Sequence, residues 1–300
     1  MNAPTSSQLP PTQKRALLTG GEGFTGRYLQ AALKQLGVDC CCLRANLLDG
    51  AAVVDELKGQ RFDWVFHLAA IANVAHGQVD EIYQVNVLGT RHLLEGLLGL
   101  QHKPASVVLA SSANVYGNNP AELHSETLAL EPTNDYAVSK LAMEYLARTW
   151  FARLPICLVR PFNYTGVGQT EQFLIPKIVG HFVRRASVIE LGNVDVWRDF
   201  SDVRDVVLAY TALAQAGVHS QVVNICSGQL RSLREVFDLC QTITGQDMSI
   251  RVNPQFVRAT EVVRLRGDDS RLRALMPQRR ITPIADTLRW MLTHRPDTAS

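Results

Sequence analysis

The run Ala16-Leu17-Leu18-Thr19-Gly20-Gly21-Glu22-Gly23-Phe24-Thr25-Gly26 leaves this chain few ways to fold. A short apolar stretch with strand character stops at a glycine cluster. Tyr28-Leu29-Gln30-Ala31-Ala32-Leu33 then repeats its apolar residues at helical spacing. Strand, glycine turn and helix in that order can hold a pyrophosphate. Gly20 would permit the tight turn, Gly23 a close approach of phosphate to backbone, and Gly26 tight packing of helix on strand, with the helix N-terminus facing the anion. The spacing is Gly-x-x-Gly-x-x-Gly, not the usual Gly-x-Gly-x-x-Gly, so an ordinary strand-helix turn fits it equally well.

Further strand-like runs at 38–43, 64–68, 106–110 and 156–160 alternate with helical segments, which argues for a parallel sheet covered on both faces. After Pro161 the pattern becomes irregular. We therefore expect an α/β fold, a Rossmann-type doubly wound parallel sheet over 16–162. Asp202–Tyr210 and Val222–Ser227 read as a return to that sheet at about 202–228. Residues 163–201 and 229–300 would form a smaller substrate-binding lobe, with the site between the two. At 300 residues and 46% hydrophobic, the chain can bury a sizeable core.

The first 15 residues are rich in Pro, Ser, Thr and Gln and lack the apolar core of a signal peptide, so they read as a flexible tail on a cytoplasmic protein. Thirty basic against 28 acidic residues give a net charge of +2, without a basic stripe. Neither a nucleic acid nor a membrane is expected as a partner, since no apolar run reaches the roughly 18 residues of a span. Neighbouring side chains of Cys40-Cys41-Cys42 would point to opposite faces of a strand and cannot jointly hold one metal, while Cys157, Cys226 and Cys240 sit singly in apolar runs. All six read as small buried hydrophobes, and no metal is expected.

Chemistry enters with Tyr136-Ala137-Val138-Ser139-Lys140, which puts a phenol and an ammonium one helical turn apart on one face. A nearby ammonium favours phenolate and would lower the tyrosine pKa, making Tyr136 a candidate general acid. Ser106-Val107-Val108-Leu109-Ala110 reads as a buried strand leading into Ser111 and Ser112, where open parallel sheets bind ligands.

With these residues in order, the chain resembles the extended short-chain dehydrogenase/reductase family of nucleotide-sugar enzymes from about residue 15 to 290. The matching stretches are Thr19-Gly20-x-x-Gly23-Phe24-x-Gly26, His67-Leu68-Ala69-Ala70, Asn86-Val87-x-Gly89-Thr90, Ser111-Ser112 with Val115-Tyr116-Gly117, Tyr136-x-x-x-Lys140 and Arg160-Pro161-Phe162-Asn163. The resemblance implies that Ser112 and Tyr136 hydrogen-bond a sugar hydroxyl or ketone, and that Lys140 contacts the nicotinamide ribose and lowers the tyrosine pKa. It implies further cofactor contacts from Gly20, Gly23, Phe24, Thr25 and Gly26, from Leu68, Ala69, Ala70 and Asn86, and from Pro161. At the end of the second strand, Arg44 would accommodate a 2′-phosphate, with Asn46 and Leu47 near the adenine. NADP(H) is therefore favoured, with NAD(H) as the alternative.

Within the family, dehydratases carry Glu at the position of Asn114, preceded by Ser or Asp, where this chain has Ala113-Asn114. An amide cannot exchange a proton near neutral pH, which argues against dehydration. Epimerase-reductases of fucose-type sugars use a Cys just after the serine pair and a His before an Ile-Pro pair; this chain has Ala113-Asn114 and Phe173-Leu174-Ile175-Pro176. No histidine is assigned a role. A reductase remains, with a nucleotide-sugar 4-epimerase and a non-catalytic dinucleotide-binding sensor as alternatives. Leu191-Gly192-Asn193-x-Asp195-x-x-Arg198-Asp199-Phe200, Arg258-x-x-Glu261-Val262 and Gly267-Asp268-x-Ser270 resemble the pattern of GDP-mannose 4,6-dehydratases and related GDP-4-keto-6-deoxy-mannose reductases. The implied substrate is a GDP-sugar held by Arg198, Arg258 and Glu261, with Asn114 and Asn163 near the sugar. The implied reaction is reduction of GDP-4-keto-6-deoxy-D-mannose to GDP-D-rhamnose or its C4 epimer, GDP-6-deoxy-D-talose. Family members often dimerise through helices matching about 86–101 and 136–153, so a homodimer is expected, although Leu93, Leu94, Leu97 and Leu98 would serve equally as core.

Overall fold

The computed structural model describes residues 13–72, 78–256 and 262–294. Five apolar runs become the strands β1 (Arg15–Thr19), β2 (Asp39–Cys42), β3 (Trp64–His67), β4 (Ser106–Ala110) and β5 (Ile156–Pro161). They are joined by the helices α1 (Phe24–Gln35), α2 (Gly50–Leu57), α3 (Val79–Tyr83), α4 (Thr90–Gly99) and α5 (Asp135–Arg148). Between α3 and α4 the helix widens into a π-turn over Gln84–Gly89.

The remainder of the chain adds β6 (Asn163–Thr165), α6 (Leu174–Val183), β7 (Val188–Leu191), β8 (Trp197–Asp202), α7 (Val203–Gln215) and β9 (Gln221–Ile225). It closes with β10 (Leu230–Ser232), α8 (Leu233–Thr244), β11 (Ser249–Val252), β12 (Arg264–Leu265), α9 (Ser270–Leu275) and α10 (Ile284–Thr293). Of the two segments expected to return to the sheet, only the second supplies a strand, β9. Asp202–Tyr210 is mostly helical because the Asp202 carboxylate accepts from Arg204 N–H at 2.8 Å and caps α7.

Six strands form one parallel sheet in the order β2-β1-β3-β4-β5-β9. Their side chains alternate between two apolar layers. Leu18, Phe66, Val108 and Val159 pack with Leu29 of α1 and Val206 of α7. Leu17, Val65, Val107 and Leu158 pack on the other face with Val53 of α2, Leu94 of α4 and Met143 of α5. Burial on both faces explains why the strands read as continuous apolar runs. Each fully buried Leu or Val contributes roughly 1.5–3 kcal/mol. Leu93, Leu94 and Leu97 are all 0% exposed, which settles them as core.

A third cluster joins Ile178 and Phe182 of α6, Ile189 of β7, Phe237 of α8 and Leu288 of α10. Small sheets, β10-β8-β12 with β6 on β8, and β11-β7, lie in the same part of the chain. Strand order reverses at β1, since the chain goes to β2 on one side and then to β3 on the other. Ligands of open α/β sheets bind beyond the carboxyl ends of the strands at such a switch point. Among the described residues no helix is long and apolar enough to cross a membrane.

Candidate functional site

The carboxyl ends of β1, β3, β4 and β5 open into a cavity of about 430 Å³. Its β1 wall is the glycine turn. Gly20 has φ +72°, and a Cβ there would lie 2.8 Å from the Ala69 nitrogen; one on Gly26 would lie 2.3 Å from the Gly20 oxygen. Neither position tolerates a side chain. A Cβ on Gly23 would meet only the Gly20 oxygen, at 3.2 Å, and otherwise faces open space. An uncapped helix start beside an open glycine fits a pyrophosphate, whose oxygens take free N–H groups.

Ala69 is held against that turn by a buried relay. Ala69 N–H donates to Thr19 Oγ1 at 3.2 Å, and Thr19 Oγ1 lies 2.6 Å from His67 Nδ1. His67 Nε2 lies 2.8 Å from Thr90 Oγ1, which donates to the Asn86 carbonyl. Because both threonine hydroxyls accept one proton and donate another, His67 must accept at Nδ1 and donate at Nε2. Burial, aided by the Lys140 charge, pushes its pKa down to about 3, so it stays neutral. His67 therefore has a structural task that sequence reading did not assign, although it heads the matched stretch His67-Leu68-Ala69-Ala70.

Tyr136 and Lys140 project from one face of α5, which starts at Asn134, whose side chain accepts from Ala137 N–H at 2.9 Å. Both line the cavity with Ser112 and Asn114, which follow β4. Lys140 Nζ donates to the Ala110 carbonyl at 2.7 Å, and burial lowers its pKa to about 8, opposed by the Glu144 carboxylate. Burial pushes the Tyr136 phenol up to about 12, opposed by a hydrogen bond with Ser112. The expected lowering of the phenol pKa is thus outweighed by burial.

Beneath these groups lies a layer of fully buried charge. Arg160 holds Glu144 in a fork, Nε to Oε1 at 2.8 Å and Nη2 to Oε2 at 2.7 Å, and Ser111 Oγ donates to the same Oε1 at 2.6 Å. Arg160 also donates to Tyr116 Oη at 3.0 Å, and Tyr116 donates to Asn224 Oδ1 at 2.7 Å. The network fixes the register of α5, and with it Lys140, one turn before Glu144. Its one sequence signal is the spacing Tyr136, Lys140, Glu144 along a single helical face.

The other expected residues fall into three groups. Gly20, Gly23, Phe24, Thr25, Gly26, Leu68, Ala70 and Pro161 line the cavity, as does Asn163, expected near the sugar. Asn86, expected at the cofactor, is 1% exposed and engaged with the Ile71 backbone at 2.9 and 3.2 Å and with Ser139 Oγ at 3.0 Å. It supports the loop after β3 from below instead. Leu47 is core, and its carbonyl accepts from His92 at 2.7 Å. Arg44 and Asn46 are exposed beyond β2, with the Asn46 side chain accepting from Leu48 N–H at 3.0 Å. Arg198 donates to the Trp197 and Val263 carbonyls at 2.9 and 3.2 Å, away from the cavity lining. Arg258 and Glu261 lie outside the described residues.

Sequence reading missed the cavity wall formed by Tyr164, Gln169, Thr170, Phe173 and Tyr210. Tyr164 Oη lies 2.8 Å from Thr25 Oγ1, and Tyr28 Oη donates to the Val167 carbonyl at 2.6 Å. These contacts bring the segment after β6 over the start of α1, across more than a hundred residues of chain.

The geometry agrees with comparisons to known proteins. Residues 16–226 match the NAD dependent epimerase/dehydratase family. Two curated relatives, GDP-6-deoxy-D-talose 4-dehydrogenase of Aggregatibacter actinomycetemcomitans and GDP-6-deoxy-D-mannose reductase of Pseudomonas aeruginosa, are each 34% identical. The matches span 86% of this chain and 90% of each relative. The solved structure of RMD from Pseudomonas aeruginosa complexed with NADPH superposes with a TM-score of 0.85 at 33% identity, covering 94% of this chain and 98% of that one.

Proposed function

The chain belongs to the NAD dependent epimerase/dehydratase family, and from that premise we propose that it is a cytoplasmic reductase of GDP-4-keto-6-deoxy-D-mannose. Its product is GDP-D-rhamnose, which is GDP-6-deoxy-D-mannose, or the C4 epimer GDP-6-deoxy-D-talose. One observation carries the reading: Ser112, Tyr136 and Lys140 meet beside the glycine turn in one cavity with Asn114, whose amide cannot do the proton transfer that dehydration would ask of a carboxylate. The names of both relatives denote oxidoreduction of a GDP-bound 6-deoxyhexose and differ in the C4 epimer.

A reduced nicotinamide, when bound, would supply the hydride for C4. Tyr136, neutral because its pKa is raised to about 12, donates its proton to the ketone oxygen as that oxygen gains charge. Ser112 orients the same oxygen. The Lys140 ammonium, held on Ala110, stabilises the phenolate left on Tyr136. Glycines 20, 23 and 26 with the start of α1 would hold the pyrophosphate, and exposed Arg44 would meet a 2′-phosphate, which favours NADP(H) over NAD(H). Arg198, with Arg258 and Glu261, is assigned to the nucleotide of the substrate. The exposed Leu88 of the π-turn before α4 and Val138 and Tyr145 of α5 suit a homodimer through these helices.

Incubation with the GDP-linked keto-sugar and NADPH, followed by product analysis, tests the reading. Oxidation of NADPH with formation of one 6-deoxyhexose is expected. Formation of a 4-keto-6-deoxy sugar from GDP-mannose and oxidised cofactor would replace reduction with dehydration.

A further inference from the structure

Tyr210 stands in the middle of α7, buried to 1% exposure and packed in the apolar layer beneath the sheet. It nevertheless lines the cavity. The helix runs from the end of β8 back toward the start of β5, where Ser220 N–H donates to the Ile156 carbonyl. Side chains of a helix lean toward its N-terminus, so the Tyr210 ring rises toward the carboxyl ends of the strands. Its hydroxyl has no hydrogen-bond partner among the described residues, whereas Tyr164 is joined to Thr25 and Tyr116 to Asn224.

A phenol hydroxyl without a protein partner adds nothing to packing, and a fold needing only bulk there would be served by phenylalanine. Burial raises the Tyr210 pKa well above 10, with Tyr164 and Tyr136 adding to the effect, so it is a neutral donor beside both other phenols. Because α7 packs against β4 and β6, with β4 three strands away from β2, Tyr210 lies at the Tyr136 end of the cavity and not at the Arg44 end. The hydroxyl, unbonded to the hydroxyls and amides that share the cavity lining, is free to donate to an oxygen of a bound molecule. Resting on the reading above, we propose that Tyr210 is a further cofactor-binding residue, whose hydroxyl donates to an oxygen on the nicotinamide half of the dinucleotide.

Titration of the full chain with NADPH and with 2′,5′-ADP, followed by quenching of intrinsic fluorescence, separates this proposal from the reading beneath it. Failure of the wild type to bind NADPH would remove the reading itself. If the wild type binds, Tyr210→Phe should weaken NADPH by about two- to twelve-fold, the range of one neutral hydrogen bond, and leave 2′,5′-ADP unchanged. Melting of the free protein supplies the second readout. Because the lost hydroxyl has no partner, the melting temperature of Tyr210→Phe should equal or exceed that of the wild type. Unchanged NADPH affinity, equal weakening of NADPH and 2′,5′-ADP, or a lower melting temperature of the free variant would each overturn the assignment.

Discussion

Lys140 rests on a floor of interlocked groups, while Arg44 stands in solvent at the far end of the same sheet edge. The Lys140 ammonium is 3% exposed and bonded to Ala110, and the Arg160–Glu144 fork lies directly beneath it. Among the described residues Arg44 is tied down only through its backbone, where N–H donates to the Glu56 carboxylate at 3.0 Å. The proposed chemical end is thus specified by several buried contacts per residue, and the proposed 2′-phosphate end by one flexible side chain. Substitutions should be costly at the first and mild at the second.

The sharpest contrast is expected at Tyr136. Tyr136→Phe should lower turnover by roughly a hundred- to ten-thousand-fold, the range for loss of a general acid, with NADPH affinity nearly unchanged. Near-normal turnover of this variant would dissolve the distinction between the two ends.

Next comes the floor itself. Arg160→Met leaves the Glu144 carboxylate buried without its fork and should cost about 3–5 kcal/mol in urea unfolding. Disruption of the exposed Arg184–Glu171 pair should cost at most about 1 kcal/mol. Equal costs would mean that the buried network does not organise α5.

A smaller effect follows from Lys140. Reduction needs its charged form, so turnover should hold below pH about 8 and fall as pH rises through that value. Glu144→Gln removes the carboxylate that supports the charge and should move the falling limb to lower pH. Stability has the opposite sign. The unfolded chain keeps the lysine proton up to 10.5 while the folded chain releases it near 8, so the wild type should gain stability relative to Lys140→Met between those values. Urea midpoints across that window provide the check.

The mildest effect belongs to Arg44. Arg44→Ala should reduce the preference for NADPH over NADH by less than about ten-fold, because an exposed charge contributes little through water. Fluorescence titration with both cofactors measures it, and an unchanged ratio would place 2′-phosphate recognition elsewhere.

The same contrast explains what could be read from the chain. The strands were legible because both faces are apolar, and the glycine turn because Gly20 and Gly26 admit no side chain. Ser112, Tyr136 and Lys140 stood out by their place after β4 and their spacing along α5, and they line one cavity. The bonds of Asn86 to the loop after β3 could not be read from the chain, since the π-turn that carries it leaves no periodic signal. Likewise hidden were Tyr116 with Asn224, Thr25 with Tyr164, and Tyr210, because each depends on contacts between segments remote in sequence. Arg198 matches a nucleotide-sugar pattern, yet its described bonds go to the backbone of its own strand and of Val263.

Hydride delivery to C4 is the central claim, and isotopic labelling tests it most directly. With GDP-4-keto-6-deoxy-D-mannose and NADPH deuterated at the nicotinamide C4, the product should carry one deuterium at sugar C4. The complementary reaction in deuterated water with unlabelled cofactor should place none at C3 or C5, because the proposed mechanism assigns no acid-base pair to those carbons. Cofactor label absent from C4, or solvent deuterium at C3 or C5, would contradict a simple ketone reductase.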